Sequence, residues 1–117
     1  MKLADIVVTL EATYLSDADH LDKEVFKCGS SDLMSDILAG LSEGSVLVTG
    51  LTTVHVIRTA KVAGVEAVVF VRGKTPPQEV IDLAREEGIP LLATPYSMFV
   101  SSGRLYASGL TGLTGVR

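Results

Sequence analysis

The chain has 117 residues, of which 47% are hydrophobic and 21% are charged, and its formal net charge is −4. This length and composition are typical of one folded domain that buries a core without metals or disulfides. The acidic balance argues against nucleic acid or an anionic membrane as a partner, because both require clustered Lys and Arg.

The cysteine content restricts the compartment and the metal chemistry. The only cysteine, Cys28, cannot form an internal disulfide, which is typical of a reducing compartment and predicts a cytoplasmic protein. One Cys and two His do not provide the four ligands of a structural zinc or iron–sulfur site. We therefore expect no metal and no cofactor, and the apolar segments are too short to predict a signal peptide or a membrane span.

The first 40 residues predict two helices separated by short extended segments. An apolar stripe predicts an amphipathic helix over residues 2–10. Residues 12–15 and 24–28 are predicted to be extended. Residues 29–40 then predict a helix that Ser30 or Ser31 caps, with Asp32 at its positive end. The buried face of this second helix is predicted to contain Leu33, Met34, Ile37, Leu38 and Leu41.

A strand–turn–helix pattern recurs three times after residue 45. The predicted strands are 46–49, 67–71 and 91–94, and their continuous apolar runs are typical of a parallel sheet covered on both faces. The sequence therefore predicts a three-layer α/β domain over 1–117, with a mostly parallel sheet of four or five strands. For the glycine-rich end, 108–117, a flexible tail is favoured over an oligomer contact.

Gly and Pro indicate where the later helices begin and end. A helix over 54–63 is predicted to stop at Gly64. In the next helix Thr75 is predicted to be the N-cap, Pro76 the first helical residue and Gln78 the partner in a capping box, with an end at Gly88. Thr94 and Pro95 repeat this arrangement before the last helix.

Three predicted turns, 49–53, 72–75 and 94–97, should meet at the carboxyl edge of the sheet. Helix N-termini and the side chains of Arg72 and Lys74 would suit a phosphate or carboxylate there. The alternative is that the threonines only cap helices and that the cations keep a loop solvated. The candidate ligand-binding residues are Thr52, Thr53, His55, Arg72, Gly73 and Lys74, with Ser31, Asp32 and Asp36 on the neighbouring rim.

Two catalytic interpretations are weaker. Gly73-Lys74-Thr75 matches the end of a P-loop, but Val68 occupies the position of the first glycine, so a Walker motif is excluded. Asp32 and Asp36 lie one helical turn apart in the predicted helix and, with His55, would serve a magnesium-dependent, phosphate-handling enzyme. Two carboxylates at a helix start more often interact only with the helix dipole and solvent.

The order of the segments resembles the DRTGG domain, a small α/β module. The resemblance covers residues 20–103. The segments that carry it are 21–25, 31–38, 46–50, 69–76 and 88–96, which read LDKEV, SDLMSDIL, VLVTG, VFVRGKTP and GIPLLATPY.

The resemblance implies a non-catalytic regulatory or accessory module. Similar domains are fused to phosphotransacetylases and CBS-containing pyrophosphatases, and a related form begins HPr kinase/phosphorylase. Stand-alone forms are found alongside iron-only hydrogenase components. The implied roles are to sense a small anionic ligand such as a nucleotide, or to dock onto a redox-enzyme partner, as a homodimer. A purely structural dimerising subunit is a further alternative.

The chain departs from the residues that give the family its name. Leu51-Thr52 stands where the family tends to have Asp-Arg, and Arg72-Gly73-Lys74 stands where it tends to have Thr-Gly-Gly. Only Gly73 is kept, so a ligand of the fused domains does not transfer directly to this chain.

Overall fold

A computed structural model describes residues 1–16, 21–40 and 42–115. The five helices within these ranges are α1 (Leu3–Thr9), α2 (Met34–Ala39), α3 (Val54–Ala63), α4 (Gln78–Glu87) and α5 (Met98–Ala107). The five strands are β1 (Thr13–Tyr14), β2 (Lys27–Ser30), β3 (Ser45–Thr49), β4 (Ala67–Phe70) and β5 (Leu91–Ala93).

The five strands form one sheet in the order β1-β5-β4-β3-β2. Strands β2 to β5 run parallel, and the short β1 pairs with β5 in the antiparallel sense. The prediction of a mostly parallel sheet in an α/β domain is therefore confirmed. Parallel strands end at a common edge, so the loops after β2, β3, β4 and β5 meet there.

Alternate residues of the central strands supply two separate cores. Leu47, Val68 and Phe70 face a core that also includes residues of α2, α3 and α4. Val46, Val48 and Val69 face the opposite core, with residues of α1 and α5. Because the strands are covered on both faces, every residue of β3 and β4 is buried. This explains why their sequences are continuously apolar rather than alternating.

The helix predicted over 29–40 is wrong in its first part. Residues 27–30 form β2, in which Ser30 pairs with Val48 of β3, and the helix does not begin until Met34. Ser30 and Ser31 therefore do not cap it. The buried face is also smaller than predicted, because Leu33 and Leu38 are exposed while Met34 and Ile37 are buried. Leu41 lies outside the described residues.

Two predicted proline-based helix starts are wrong for different reasons. Helix α4 begins at Gln78 after Pro77, so Thr75 and Pro76 do not form its cap. A residue that precedes proline is disfavoured in the helical region, which prevents Pro76 from being helical. Helix α5 begins after Ser97, whose hydroxyl accepts a hydrogen bond from the Val100 N–H at 3.2 Å. The glycine stops at Gly64 and Gly88 are confirmed, since both are left-handed C-caps.

The segment after α5 lies against the free edge of β2. The Thr111 N–H donates to the carbonyl of Phe26 at 3.2 Å, and the Cys28 N–H donates to the carbonyl of Thr111 at 2.8 Å. Leu110 is buried, and a Cβ added at Gly29 would lie 3.0 Å from a methyl group of Leu113. These contacts do not measure flexibility, so the flexible tail predicted for 108–117 stays a prediction. Residues 116 and 117 lie outside the described ranges.

The described part of the chain contains no helix that combines the length and the apolar character needed to span a membrane.

Thr94 does not cap a helix but connects the carboxyl end of β5 to the end of α1. Its side chain is fully buried, and its hydroxyl donates to the carbonyl of Leu10 at 2.6 Å. Thr94→Val keeps the shape but removes this donor and the hydroxyl that accepts from the Tyr96 N–H at 3.3 Å. We therefore expect the free energy of unfolding to fall by about 1–3 kcal/mol. Urea denaturation measures this change.

The matched control for that substitution is Thr13→Val in β1, where the threonine is exposed. We expect the control to change stability by no more than about 0.5 kcal/mol. Equal effects of the two substitutions would show that the Thr94 hydrogen bond does not stabilise the fold.

Candidate functional site

The loop after β4 is a tight left-handed turn. Arg72 and Gly73 have φ angles of 60° and 66°, and the Lys74 N–H donates to the carbonyl of Val71 at 3.3 Å. Positive φ at both central residues is the property of a type I′ turn. Arginine has a Cβ and therefore adopts this conformation at a cost of about 1 kcal/mol.

Two backbone hydrogen bonds hold the turn against the loop after β5. The Arg72 N–H donates to the carbonyl of Tyr96, and the Gly73 N–H donates to the carbonyl of Thr94, both at 2.8 Å. The prediction that the turns 72–75 and 94–97 meet at one edge agrees with these contacts. The hydrogen bonds offset the strain at Arg72, and they leave its side chain exposed at the edge of the sheet.

Both cations of this turn extend toward the end of β3. The Lys74 ammonium donates to the carbonyl of Gly50 at 2.8 Å. A Cβ placed on Gly50 would lie 3.2 Å from Nη2 of Arg72, so glycine at position 50 leaves the space that the guanidinium needs. Neither cation forms an ion pair with another described residue.

Asp32, in the segment that follows β2, contacts the same loop. Its carboxylate accepts hydrogen bonds from the Gly50 N–H at 2.6 Å and from the Thr49 hydroxyl at 3.1 Å. The predicted position of Asp32 in the first turn of a helix is therefore wrong, because the residue precedes α2 and binds the end of β3. The sequence could not indicate this partner, which lies 17 residues further along the chain.

The other rim residues, Ser31 and Asp36, contact each other. The Ser31 hydroxyl lies 3.4 Å from Asp36 Oδ2 and accepts a hydrogen bond from the Leu33 N–H at 2.9 Å. Asp32 and Asp36 thus have different partners. In the described ranges, no three His, Cys, Asp or Glu side chains form a group that could hold a metal ion.

The three remaining candidates lie at the start of α3. Thr53 occupies the N-cap position, but its side chain makes no capping hydrogen bond. Thr52 is half-buried, and His55 is exposed in the first turn. The structure thus brings Asp32, Gly50, Arg72 and Lys74 into one cluster, and the α3 residues follow directly from the Gly50 loop.

Sequence reasoning missed a neighbouring cluster around Tyr96. The Arg104 guanidinium lies 4.2 Å from the centre of the Tyr96 ring, and the Tyr96 hydroxyl donates to the carboxylate of Glu11. The same Tyr96 supplies the carbonyl that accepts from Arg72. Glu11 and Tyr96 are 85 positions apart in the sequence, so no local pattern could have indicated their contact.

A groove between α5 and β2 was also missed. It has a volume of about 310 Å³, and its lining includes Cys28 and Phe99. Burial raises the pKa of the Cys28 thiol, and the hydrogen bond with Ser30 opposes this rise only in part. A thiol with a raised pKa is a poor nucleophile at neutral pH, so Cys28 is not expected to act as one.

Comparison with known families identifies the fold. The model of the DRTGG domain matches residues 5–108, which is most of the chain. The chain belongs to the DRTGG domain family. This match extends the resemblance beyond the segments between residues 20 and 103. No curated protein matches the chain.

A solved structure has the same architecture. It contains the CBS and DRTGG domains of the regulatory region of Clostridium perfringens pyrophosphatase, complexed with the activator diadenosine tetraphosphate. The TM-score is 0.74 at 24% sequence identity, and the match covers 99% of this chain and 50% of the other. This DRTGG domain therefore spans half the length of that regulatory region, and the likeness confirms its fold.

Substitutions at Arg72 separate backbone strain from charge. Arg72→Ala removes the charge but keeps a Cβ at positive φ, whereas Arg72→Gly removes both. We expect Arg72→Gly to be at least as stable as the wild type, and more stable than Arg72→Ala by about 0.5–1 kcal/mol. The free energies of unfolding in urea test this difference. A glycine variant less stable than the alanine variant would show that the turn carries no strain.

Proposed function

We propose that this DRTGG domain is a regulatory module that binds a small anionic ligand at the turn formed by Val71–Lys74. The ligand class is a phosphate or carboxylate compound, with nucleotides included. The bound anion would stabilise the conformation of the sheet edge, and this change would be the regulatory signal.

The observation that carries the proposal is the geometry of the two cations. Arg72 and Lys74 belong to one turn, extend toward the same loop and form no ion pair within the described residues. A backbone held by two hydrogen bonds keeps them close together despite the strain at Arg72. Strain that persists in a tightly held turn is often found at ligand-binding sites.

The contacts of Asp32 determine which donors at this edge are left for a ligand. Its carboxylate oxygen accepts from the Gly50 N–H and the Thr49 hydroxyl, so the end of β3 already binds one anionic group. Asp32 also brings negative charge next to Arg72, since both would contact a Cβ at Gly50. An incoming ligand would therefore bind the side-chain N–H groups of Arg72 and Lys74, which are exposed, rather than the Gly50 N–H.

The family gives independent support for a regulatory role. A DRTGG domain forms part of the regulatory region of the clostridial pyrophosphatase, whose structure contains a nucleotide activator. The fold of this chain is the same, although Arg72 and Lys74 are not the residues that give the family its name. We propose that these two cations adapt the edge of the fold to an anion.

The other hypotheses have less support from the geometry. A magnesium-dependent enzyme that uses Asp32, Asp36 and His55 would need them in one group, but these residues form no group that could hold a metal ion in the part of the chain that the structure describes. The homodimer, the redox-enzyme partner and the cytoplasmic location stay predictions. If the domain has a purely structural role, the loss of Arg72 and Lys74 should have no effect on function.

Thermal unfolding against inorganic phosphates, small carboxylates and nucleotides tests anion binding. A ligand that binds only the folded state, at a hundred times its dissociation constant, adds about 2.7 kcal/mol of stability. For a domain of this size we expect the midpoint to rise by roughly 10 °C. Arg72→Ala and Lys74→Ala should each remove most of the rise, and low ionic strength keeps the charge interactions unscreened.

The control for lost positive charge is Arg58→Ala, because Arg58 is exposed further along α3. This variant should retain the full ligand-induced rise. No rise with any anion, or a rise that Arg72→Ala and Lys74→Ala leave unchanged, would contradict the proposed function.

A further inference from the structure

The groove between α5 and β2 has the properties of a small-molecule site. Its volume of about 310 Å³ lies at the lower end of the range for ligand pockets. Phe99 and Tyr106 lie two helical turns apart on α5, so both rings flank the groove on one face. Phe99 is 87% exposed and Tyr106 is 53% exposed. Between them is Gly103, where an added Cβ would meet no atom within 4 Å.

A few polar groups lie in this largely apolar groove. The hydroxyls of Ser30 and Ser102 are 2.6 Å apart, and the Cys28 thiol lies 3.5 Å from the Ser30 hydroxyl. Apolar walls with a small number of hydroxyl groups are typical of sites that bind a flat organic ring in one orientation. Exposed aromatic side chains stack well on nucleobases, because every base has a π-face.

One end of the groove lies at the carboxyl edge of the sheet, the edge at which the Val71–Lys74 turn also lies. Ser30, which lines it, is the last residue of β2, and Asp32, two residues further on, contacts Gly50. The Arg72 guanidinium lies near this same glycine, over the end of β3. Adjacent strands are about 4.8 Å apart, so the guanidinium lies roughly one strand spacing from the end of β2.

We propose that the groove binds the base of a nucleotide whose phosphates bind Arg72 and Lys74. This inference rests on the proposed anion-binding function and specifies its ligand class. A nucleotide is the occupant that uses both halves of the surface, since it joins an aromatic ring to an anionic chain. An aliphatic or uncharged ligand would use the groove but not the cations.

Matched probes and a groove-filling variant test the proposal. Isothermal titration calorimetry compares ATP, GTP, CTP and UTP with inorganic tripolyphosphate, which has the anionic chain without a base. We expect at least one nucleotide to bind about tenfold more tightly than tripolyphosphate, because stacking of the base adds to the phosphate contacts.

Gly103→Leu places a side chain in the groove. Because leucine has a higher helix propensity than glycine, and an added Cβ meets no atom within 4 Å, we expect the fold to be retained. It should weaken nucleotide binding about tenfold and leave tripolyphosphate binding unchanged. Phe99→Ala should also weaken nucleotide binding. Because the Phe99 side chain is mostly exposed, we expect its removal to leave the fold intact. The control Ala39→Leu introduces the same side chain at an exposed position of α2 and should not change either affinity.

The outcomes separate this inference from the proposed function. If tripolyphosphate binds in an Arg72-dependent manner but no nucleotide binds more tightly, or if Gly103→Leu has no effect, the groove is not a base site and anion binding stands. If nucleotide binding depends on Gly103 but not on Arg72, the groove binds nucleotides without the cations. This result would overturn the proposal that the groove and the cations form one nucleotide site. If neither nucleotides nor tripolyphosphate bind, both proposals are overturned.

Discussion

The left-handed turn at Val71–Lys74 is the constraint on which the candidate site depends. It follows a strand in the middle of the parallel sheet, where Val71 is 1% exposed, so the chain must leave the sheet at a fixed point. The hydrogen bonds from Arg72 and Gly73 to the loop after β5 then determine its path. As a result, two cations lie beside the end of β3 although they belong to the end of β4. If the loop were flexible, the loop and these side chains would have to become ordered when a ligand binds, and this ordering would reduce the net binding free energy.

The opposite layer of the fold supports this turn through the loop after β5. Thr94 connects that loop to the end of α1 by a buried hydrogen bond, and Tyr96 connects it to Glu11 and Arg104. The carbonyl groups of Thr94 and Tyr96 are the acceptors for the turn. Helices α1 and α5 thus contribute to the geometry of the cations through the loop after β5. Changes at this layer would be expected to alter anion affinity indirectly, through the position of Arg72.

Much of the fold could be predicted because its signals are local. The bounds of α3 follow from its apolar spacing and from Gly64, and the central strands follow from apolar runs that only a sheet covered on both faces requires. The error at residues 29–33 arose because Ser30, Ser31 and Asp32 match a helix cap as well as they match the end of a strand. The partners that decide between these structures, Val48 and Gly50, are distant in sequence.

The candidate site was predictable only in part, for the same physical reason. The parallel order of the strands was enough to place the turns 49–53 and 72–75 at one edge. The side-chain directions of Arg72 and Lys74 depend on the positive φ angles of Arg72 and Gly73. Arginine disfavours a positive φ angle, so the sequence alone does not predict this turn. The groove depends on α5 lying beside β2, and on the segment after α5 that pairs with Phe26 and Cys28. These long-range contacts leave no periodic pattern in the sequence.

The most direct test of the central claim is a titration of the ¹⁵N-labelled protein with ATP, followed by two-dimensional amide NMR. Glycine amides provide well-placed reporters at Gly50, Gly73 and Gly103. The account predicts that the amide shifts of Gly50 and Gly73 change first and most, that Gly103 changes with them, and that Gly64 and Gly88 at the opposite edge stay unchanged. Shift changes confined to residues away from the carboxyl edge of the sheet, or no changes at millimolar ATP, would contradict it.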